Sequence, residues 1–418
     1  MKKITFYSII LLSIGVSSQE KLSLKTCYTL IQKNYPLAKQ NDLLAKQNKL
    51  DLEIINTGKL PQFDFLIQAT YQSDVTQMLI SIPGTKFEAP NLDQYKTNIS
   101  INQLIYAGGK IDAAADLKAA ELKTKQKQIE VSLYLLKKQV NQLYFSILNL
   151  QEKKHLLSAK KSQLEAQLKE VKAGITFGII LPSSEAVLEV EILKIEQQFL
   201  EIEANKKTLI ETLSKLIGSE ISTTIAFENP EVISDTTLEI NRPELDLFQL
   251  KKDQIETSEN LISKQNTPQI MGFATGGLGN PGLNMLENDF KTYYWVGVKL
   301  NWEVFDWNAN KKERESLLIN KDIVDNEMEI FNLNTNIELN EQKSEISKIE
   351  SFIKSDQDII VLREKILKTA ASQLKNGVTT SSAYITELTN LYEAENNLNT
   401  HKIQLLLAKA NYNVTKGN

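Results

Sequence analysis

The sequence predicts a mixed α and β membrane protein built from two structural repeats, each giving two β-strands and long coiled-coil helices. Three observations carry that reading. The chain matches itself at an offset near 200 residues. In both copies a strand of two-residue period runs directly into the start of a helix. No proline interrupts the chain between Pro90 and Pro182, or from Pro281 to the C-terminus, so long helices are permitted there.

The repeat is clearest in the strands. Tyr95, Thr97, Ile99, Ile101 and Ile105 correspond to Tyr294, Val296, Val298, Leu300 and Val304 at a constant offset of 199. The same face is apolar in both copies, while Lys96, Asn98, Ser100 and Asn102, or Lys299, Asn301 and Glu303, occupy the other. A one-residue slip would exchange the faces, so a register that survives duplication is strong evidence for a strand. "KLPQFDFLIQATYQ" also resembles "NTPQIMGFATGG", and "FGIILPSSEAVLEVEIL" resembles "NGVTTSSAYITELTNL".

The elements follow in order. Residues 1–18 carry two lysines, an apolar run from Ile4 to Val16 and small residues, the layout of a cleavable signal peptide. The net charge of −4 becomes −6 once Lys2 and Lys3 are removed, and no basic patch is interleaved with aromatics, which excludes a nucleic-acid partner. The first repeat spans 19–217, with a helix at 22–58, strands near 61–72 and 94–106, and helices at 110–172 and 183–217. An equatorial or collar segment fills 218–242. The second repeat spans 243–418, with a helix at 243–266, strands near 268–277 and 292–305, and helices at 308–375 and 381–415. The glycine-rich stretch "GFATGGLGNPG" also reads as an extracellular loop.

The helices carry seams. Ile129, Leu133, Leu136, Val140, Leu143, Ile147 and Leu150 alternate steps of four and three, and Ile346, Ile353, Ile360, Leu367 and Leu374 recur every seven. From Ile111 to Lys172 such a helix would run roughly 90 Å.

The strands are apolar on one side and polar on the other, with aromatics (Tyr71, Tyr95, Tyr293, Tyr294, Trp295, Trp302, Phe305) near their ends. That is the signature of an outer-membrane barrel. Four strands cannot close a barrel, and open edges are forbidden in lipid. Either several chains each donate four strands, or the strands lie outside the membrane and the protein is a soluble periplasmic coiled-coil scaffold.

No catalytic constellation is present, so an enzyme is not expected, nor a cofactor or metal. His155 and His401 stand alone in helices, and no Gly-rich phosphate loop occurs. The single cysteine, Cys27, excludes an internal disulfide and reads as a small core residue.

Two copies of helix–strand–strand–helix, a signal peptide, "LSLKTCYTLIQKNYPLAKQ" near the N-terminus and "LIYAGGKIDAA" at a strand–helix junction resemble the TolC-like outer membrane efflux proteins. The junction residues are Tyr106, Gly108 and Gly109 in the first copy and Phe305 in the second, where Trp307 and Asn308 replace the glycines. The resemblance implies a homotrimer whose twelve strands close one β-barrel, continued by a periplasmic α-helical barrel in the outer membrane of a Gram-negative bacterium. Ile99, Ile101, Val296, Val298 and Leu300 would form the lipid face. The periplasmic tips, Gly178, Ile179, Ile180 and Leu181 with Gly377, Val378 and Thr379, would dock a periplasmic adaptor protein that links the duct to an inner-membrane pump or ABC exporter. Glu185, Ser381, Ser382 and Glu387 would flank a constriction. The implied function is a passive exit duct for small molecules in a tripartite efflux system, or alternatively the duct of a type I protein secretion system.

Overall fold

The computed structural model describes residues 21–76, 90–232 and 239–417; the expected signal peptide lies outside them. The order is β1 (Lys21–Leu22), α1 (Leu24–Asn34), a 3-10 turn (Pro36–Lys39), α2 (Gln40–Thr57), β2 (Gln62–Tyr71), β3 (Asp93–Tyr106), α3 (Lys110–Thr176) and α4 (Ser183–Ile217). There follow β4 (Ala226–Phe227), α5 (Pro243–Ser263), β5 (Gln269–Asn280), β6 (Lys291–Asn301), α6 (Ala309–Lys375) and α7 (Ser381–Lys416). The duplication is visible in the bounds. α3 and α6 each have 67 residues and start 199 apart.

Three local differences from the sequence reading have physical causes. The helix expected over 22–58 breaks at Pro36, because proline forbids the helical conformation to Tyr35, which sits at ψ 137° and ends α1. The stretch from Gly272 to Asn280 is strand rather than loop, since it pairs with β3 on one side and β6 on the other. β6 ends at Asn301 rather than 305: its partner β5 begins at Gln269, opposite Asn301, so residues 302–305 have no strand to pair with, and the Trp302 indole donates to the Asn266 carbonyl at 3.1 Å.

Two compact units cut across the repeats. One comprises Met1–Lys39, Glu130–Pro243 and Asn332–Asn418, the other Gln40–Ile129 and Glu244–Phe331. The first holds a two-stranded parallel sheet, β1 with β4, clamped by the buried Tyr144, whose hydroxyl lies 2.7 Å from the carbonyls of both Leu22 and Glu228. Around it Ile31, Val140, Ile147, Leu148, Ile210 and Leu213 form a core that also buries Cys27, whose thiol burial pushes up to about 12.

A second core in the same unit runs along four helices with seven-residue spacing. It holds Leu157, Leu164 and Val171 of α3, Leu188, Ile195 and Ile202 of α4, Leu367 and Leu374 of α6, and Tyr384 and Leu391 of α7. In the other unit α5 lies antiparallel to α6. Ion pairs from Lys251 to Glu327 (2.9 Å), Lys252 to Asp325 (2.8 Å), and Arg314 to Glu259 (2.8 Å) mark the pairing. That unit also holds the four-stranded antiparallel sheet, in the order β2-β3-β5-β6, so β3 and β5 join the two repeats at the centre. Among the described residues, no helix is long and apolar enough to cross a membrane.

Candidate functional site

The sheet register sorts its side chains into two faces. Phe63, Ile101, Ala274 and Val296 form one cross-strand row, and Phe65, Ile99, Gly276 and Tyr294 the next. Val298 stands opposite Gly272 and Leu300 opposite Ile270 on the same face. This face is open: Phe65, Ile99, Val298 and Leu300 are exposed, and Val296 retains 71% of its accessible surface. Ile101 is half-exposed. A contiguous apolar face without a cover is the informative kind of exposure. Phe63, Phe65 and Ile67 of β2 belong to it although the sequence reading did not single them out; their alternation in "QFDFLIQATY" is the signal that could have found them.

The opposite face carries the rows Asp64–Ser100–Thr275–Trp295 and Gln68–Lys96–Gly279–Lys291. The hydroxyls of Ser100 and Thr275 are 3.0 Å apart, and Asn102 donates to Asp64 at 3.2 Å. Tyr293 and Trp295 lie on this polar face, their rings stacked with centroids 5.4 Å apart. Two glycines are thereby explained. A side chain on Gly277 would meet the Thr97 carbonyl at 2.4 Å and the Tyr293 ring at 2.8 Å, and one on Gly297 would meet the Phe273 ring at 2.7 Å. Each glycine makes room for an aromatic ring from the neighbouring strand.

At the strand–helix junctions the repeat is conserved in backbone rather than in side chain. Gly108 and Gly109 adopt φ +62° and +81°, and 199 residues later Trp307 and Asn308 adopt φ 54° and 60°. The Lys110 amide donates to the Ala107 carbonyl at 3.1 Å and the Ala309 amide to that of Asp306 at 3.0 Å. Two left-handed residues turn the strand into the helix in both copies. Asn tolerates that region, but Trp is strained in it. The Asp306 carboxylate supports the second turn, accepting from the amides of Asn310 (2.9 Å) and Asn308 (3.0 Å) and from the Asn266 side chain (2.6 Å). These bonds, the Asn310 amide first, hold its pKa below the usual aspartate value. Phe305 packs edge-on against Trp307 at 4.8 Å. Tyr106 ends β3 with its ring exposed.

The helix tips repeat likewise. Gly178 and Gly377 both adopt φ +70°, and their amides donate at 3.0 Å to Ile175 and Leu374. The tips touch: a Cβ on Gly377 would lie 3.2 Å from the Ile179 carbonyl. Ile179, Leu181 and Val378 are exposed, whereas Ile180 folds back onto Gly174 and joins the core. The second tip ends in Thr380, whose hydroxyl caps α7 by accepting from the Ala383 amide; the first ends in Pro182, which offers no side-chain cap. Thr379 lies between Val378 and this cap.

Of the four residues expected around a constriction, both acids are ion-paired within the chain. Glu185 pairs with Lys172 at 3.1 Å, and Glu387 with Arg363 at 3.3 Å. Ser381 is buried at the start of α7, and Ser382 is exposed beside it. The sequence offered no cue to either cationic partner, because each sits on a different helix from its acid. His155 is exposed, and the His401 Nδ1 lies 2.6 Å from Asp356. Among the described residues, no group of three or more His, Cys, Asp or Glu is placed to hold a metal ion.

The arrangement defines a class of protein: a duplicated chain whose sheet exposes an apolar face and whose paired helices end in two glycine turns. Residues 51–219 match the sequence model of the outer membrane efflux protein family. No curated protein matches the chain in sequence. Among solved structures, the outer membrane protein VceC of Vibrio cholerae superimposes with a TM-score of 0.65 at 12% identity, covering 94% of this chain and 96% of VceC. The CmeC outer membrane channel of Campylobacter jejuni gives 0.63 at 14% identity, covering 94% and 85%. The MtrE outer membrane channel of Neisseria gonorrhoeae, in its open state, gives 0.64 at 12%, covering 94% and 89%. The fold is that of these outer membrane channels, and the resemblance to the TolC-like efflux proteins read from the sequence holds.

Proposed function

We propose that the protein is the outer-membrane exit duct of a tripartite efflux system, a homotrimer that passively conducts small molecules delivered by an inner-membrane pump through a periplasmic adaptor. One observation carries this reading. The sheet exposes a continuous apolar face while β2 and β6 remain edge strands of the four-stranded sheet. Such a face suits lipid, but free edges do not, since each unpaired backbone group costs several kcal/mol there. Three copies joined edge to edge would give twelve strands and no edge. The same open face argues against a soluble scaffold, in which it would have to be covered.

In this reading Ile99, Ile101, Val296, Val298 and Leu300 meet lipid. The glycine turns at 178 and 377, with the exposed Ile179, Leu181 and Val378, receive the adaptor. Energy comes from the pump, and the chain supplies walls rather than chemistry. The test is the mass and membrane partition of the detergent-extracted protein. A heat-sensitive trimer from outer membrane is expected; a water-soluble monomer or dimer refutes the duct.

A further inference from the structure

The polar face of β6 is not uniformly polar. Read along it, the residues are Lys291, Tyr293, Trp295, Gly297 and Lys299, with Phe273 of β5 lying over Gly297. Alternate residues of a strand are about 6.6 Å apart, so the two lysines stand about 26 Å apart and bracket a stretch about 13 Å long, with Trp295 at its centre. The aromatic part is preorganised. Tyr293 is buried against Gly277, and Trp295 stacks on it nearly parallel, at 7°, with 40% of its own surface open. Lumen-facing positions of a barrel are ordinarily polar, so an open, rigidly backed indole there is unusual.

The charges favour one sign of ligand. Lys299 is exposed, and Lys291 is shared with Glu287 at 3.6 Å. Among the described strand residues of this face the only acid is Asp64, on β2 at the far edge of the sheet. We infer that this column is a binding site for planar aromatic anions, with the ring stacking on Trp295 and the acid group meeting Lys299 or Lys291. The inference rests on the duct reading, because only a closed barrel turns this face into a lumen. In a trimer three such columns would line the exit path and raise the local concentration of aromatic sulfonates or carboxylates passing through it.

Quenching of tryptophan fluorescence in the purified, detergent-solubilised protein tests the site. The probes are 4-nitrobenzenesulfonate and, as its cationic counterpart, 4-nitrobenzylammonium. The expected result is saturable quenching by the sulfonate, with a Kd at least tenfold lower than for the ammonium. Trp295→Phe should remove the saturable component, and Lys299→Gln should weaken sulfonate binding at least threefold while leaving the ammonium unchanged. Equal quenching by both probes, or saturable quenching that survives Trp295→Phe, overturns the site. The same samples are sized and partitioned into membranes. A trimer without sulfonate preference leaves the duct and removes the site, whereas a soluble monomer removes the duct and the site with it.

Discussion

Val296→Arg separates lipid from water at one position. Val296 lies at the midpoint of β6 in the row of Phe63, Ile101 and Ala274, and 71% of its surface is open in the single chain. If the row faces the bilayer midplane, an arginine there costs about 2–4 kcal/mol per chain. Three chains sharing one barrel bring the total to about 6–12 kcal/mol, as much as the whole stability of a typical domain. Assembly should therefore fail rather than weaken. If the same face met only water, the substitution would disturb no packed neighbour and stay within about 0.5 kcal/mol.

Asn98→Arg, on the opposite face beside Leu66 and Gly277, is the control. The assay is the amount of heat-modifiable trimer in outer-membrane fractions, with total expression measured in parallel. Loss for Val296→Arg and near-normal assembly for Asn98→Arg is the expected pattern. Normal assembly of Val296→Arg would refute the lipid-facing argument, and the reverse pattern would show that the two faces are interchanged.

Four further outcomes are expected. Gly377→Leu forces a side chain into the left-handed region and toward the Ile179 carbonyl; adaptor capture in a pull-down should fall while the heat-modifiable trimer persists, and loss of the trimer would misplace the tip. Gly108→Ala puts a Cβ 1.9 Å from the Thr267 hydroxyl oxygen, so the midpoint of thermal unfolding should fall, and Thr267→Gly should recover part of it. At the second junction Asn308→Gly should match or exceed wild-type stability, whereas Asn308→Val should lose about 1–2 kcal/mol by urea unfolding. Glu191 is raised by burial but lowered more by its bond to Lys160 at 3.0 Å and by the charges of Lys160 and Lys194, leaving its pKa below 4.5. A depressed pKa gives stability that is present above pH 4.5 and lost as pH falls through the folded value, so acid should destabilise the helices. Glu191→Gln should flatten part of that dependence in thermal melts across pH 3–6; the carboxyls of Glu203, lowered by its bond to Lys154, and of Asp306 keep their own share.

What the sequence could show was whatever is written in periodicity. Alternation in "YKTNISINQLIY" and seams such as Ile360, Leu367 and Leu374 are one-dimensional patterns, and each maps directly onto a face. What it could not show depends on partners far along the chain. The acids at 185 and 387 look free until Lys172 and Arg363 approach from other helices. Alternation alone puts Tyr293 and Trp295 with Lys299 on the polar face, but that Tyr293 packs against Gly277 of the neighbouring strand and carries the Trp295 ring is visible only in the register.

The second junction lies between these cases. The Gly-Gly signal is absent there, yet the same two residues, offset by 199, hold the same left-handed backbone. Glycine makes such a turn easy but does not define it; the flanking geometry does. Once a strand must enter a helix at that angle, and the Asp306 carboxylate accepts the Asn308 and Asn310 amides, asparagine and even tryptophan can be held in the turn. A motif search for glycine therefore understates the duplication, because at this position the conserved quantity is a pair of dihedral angles.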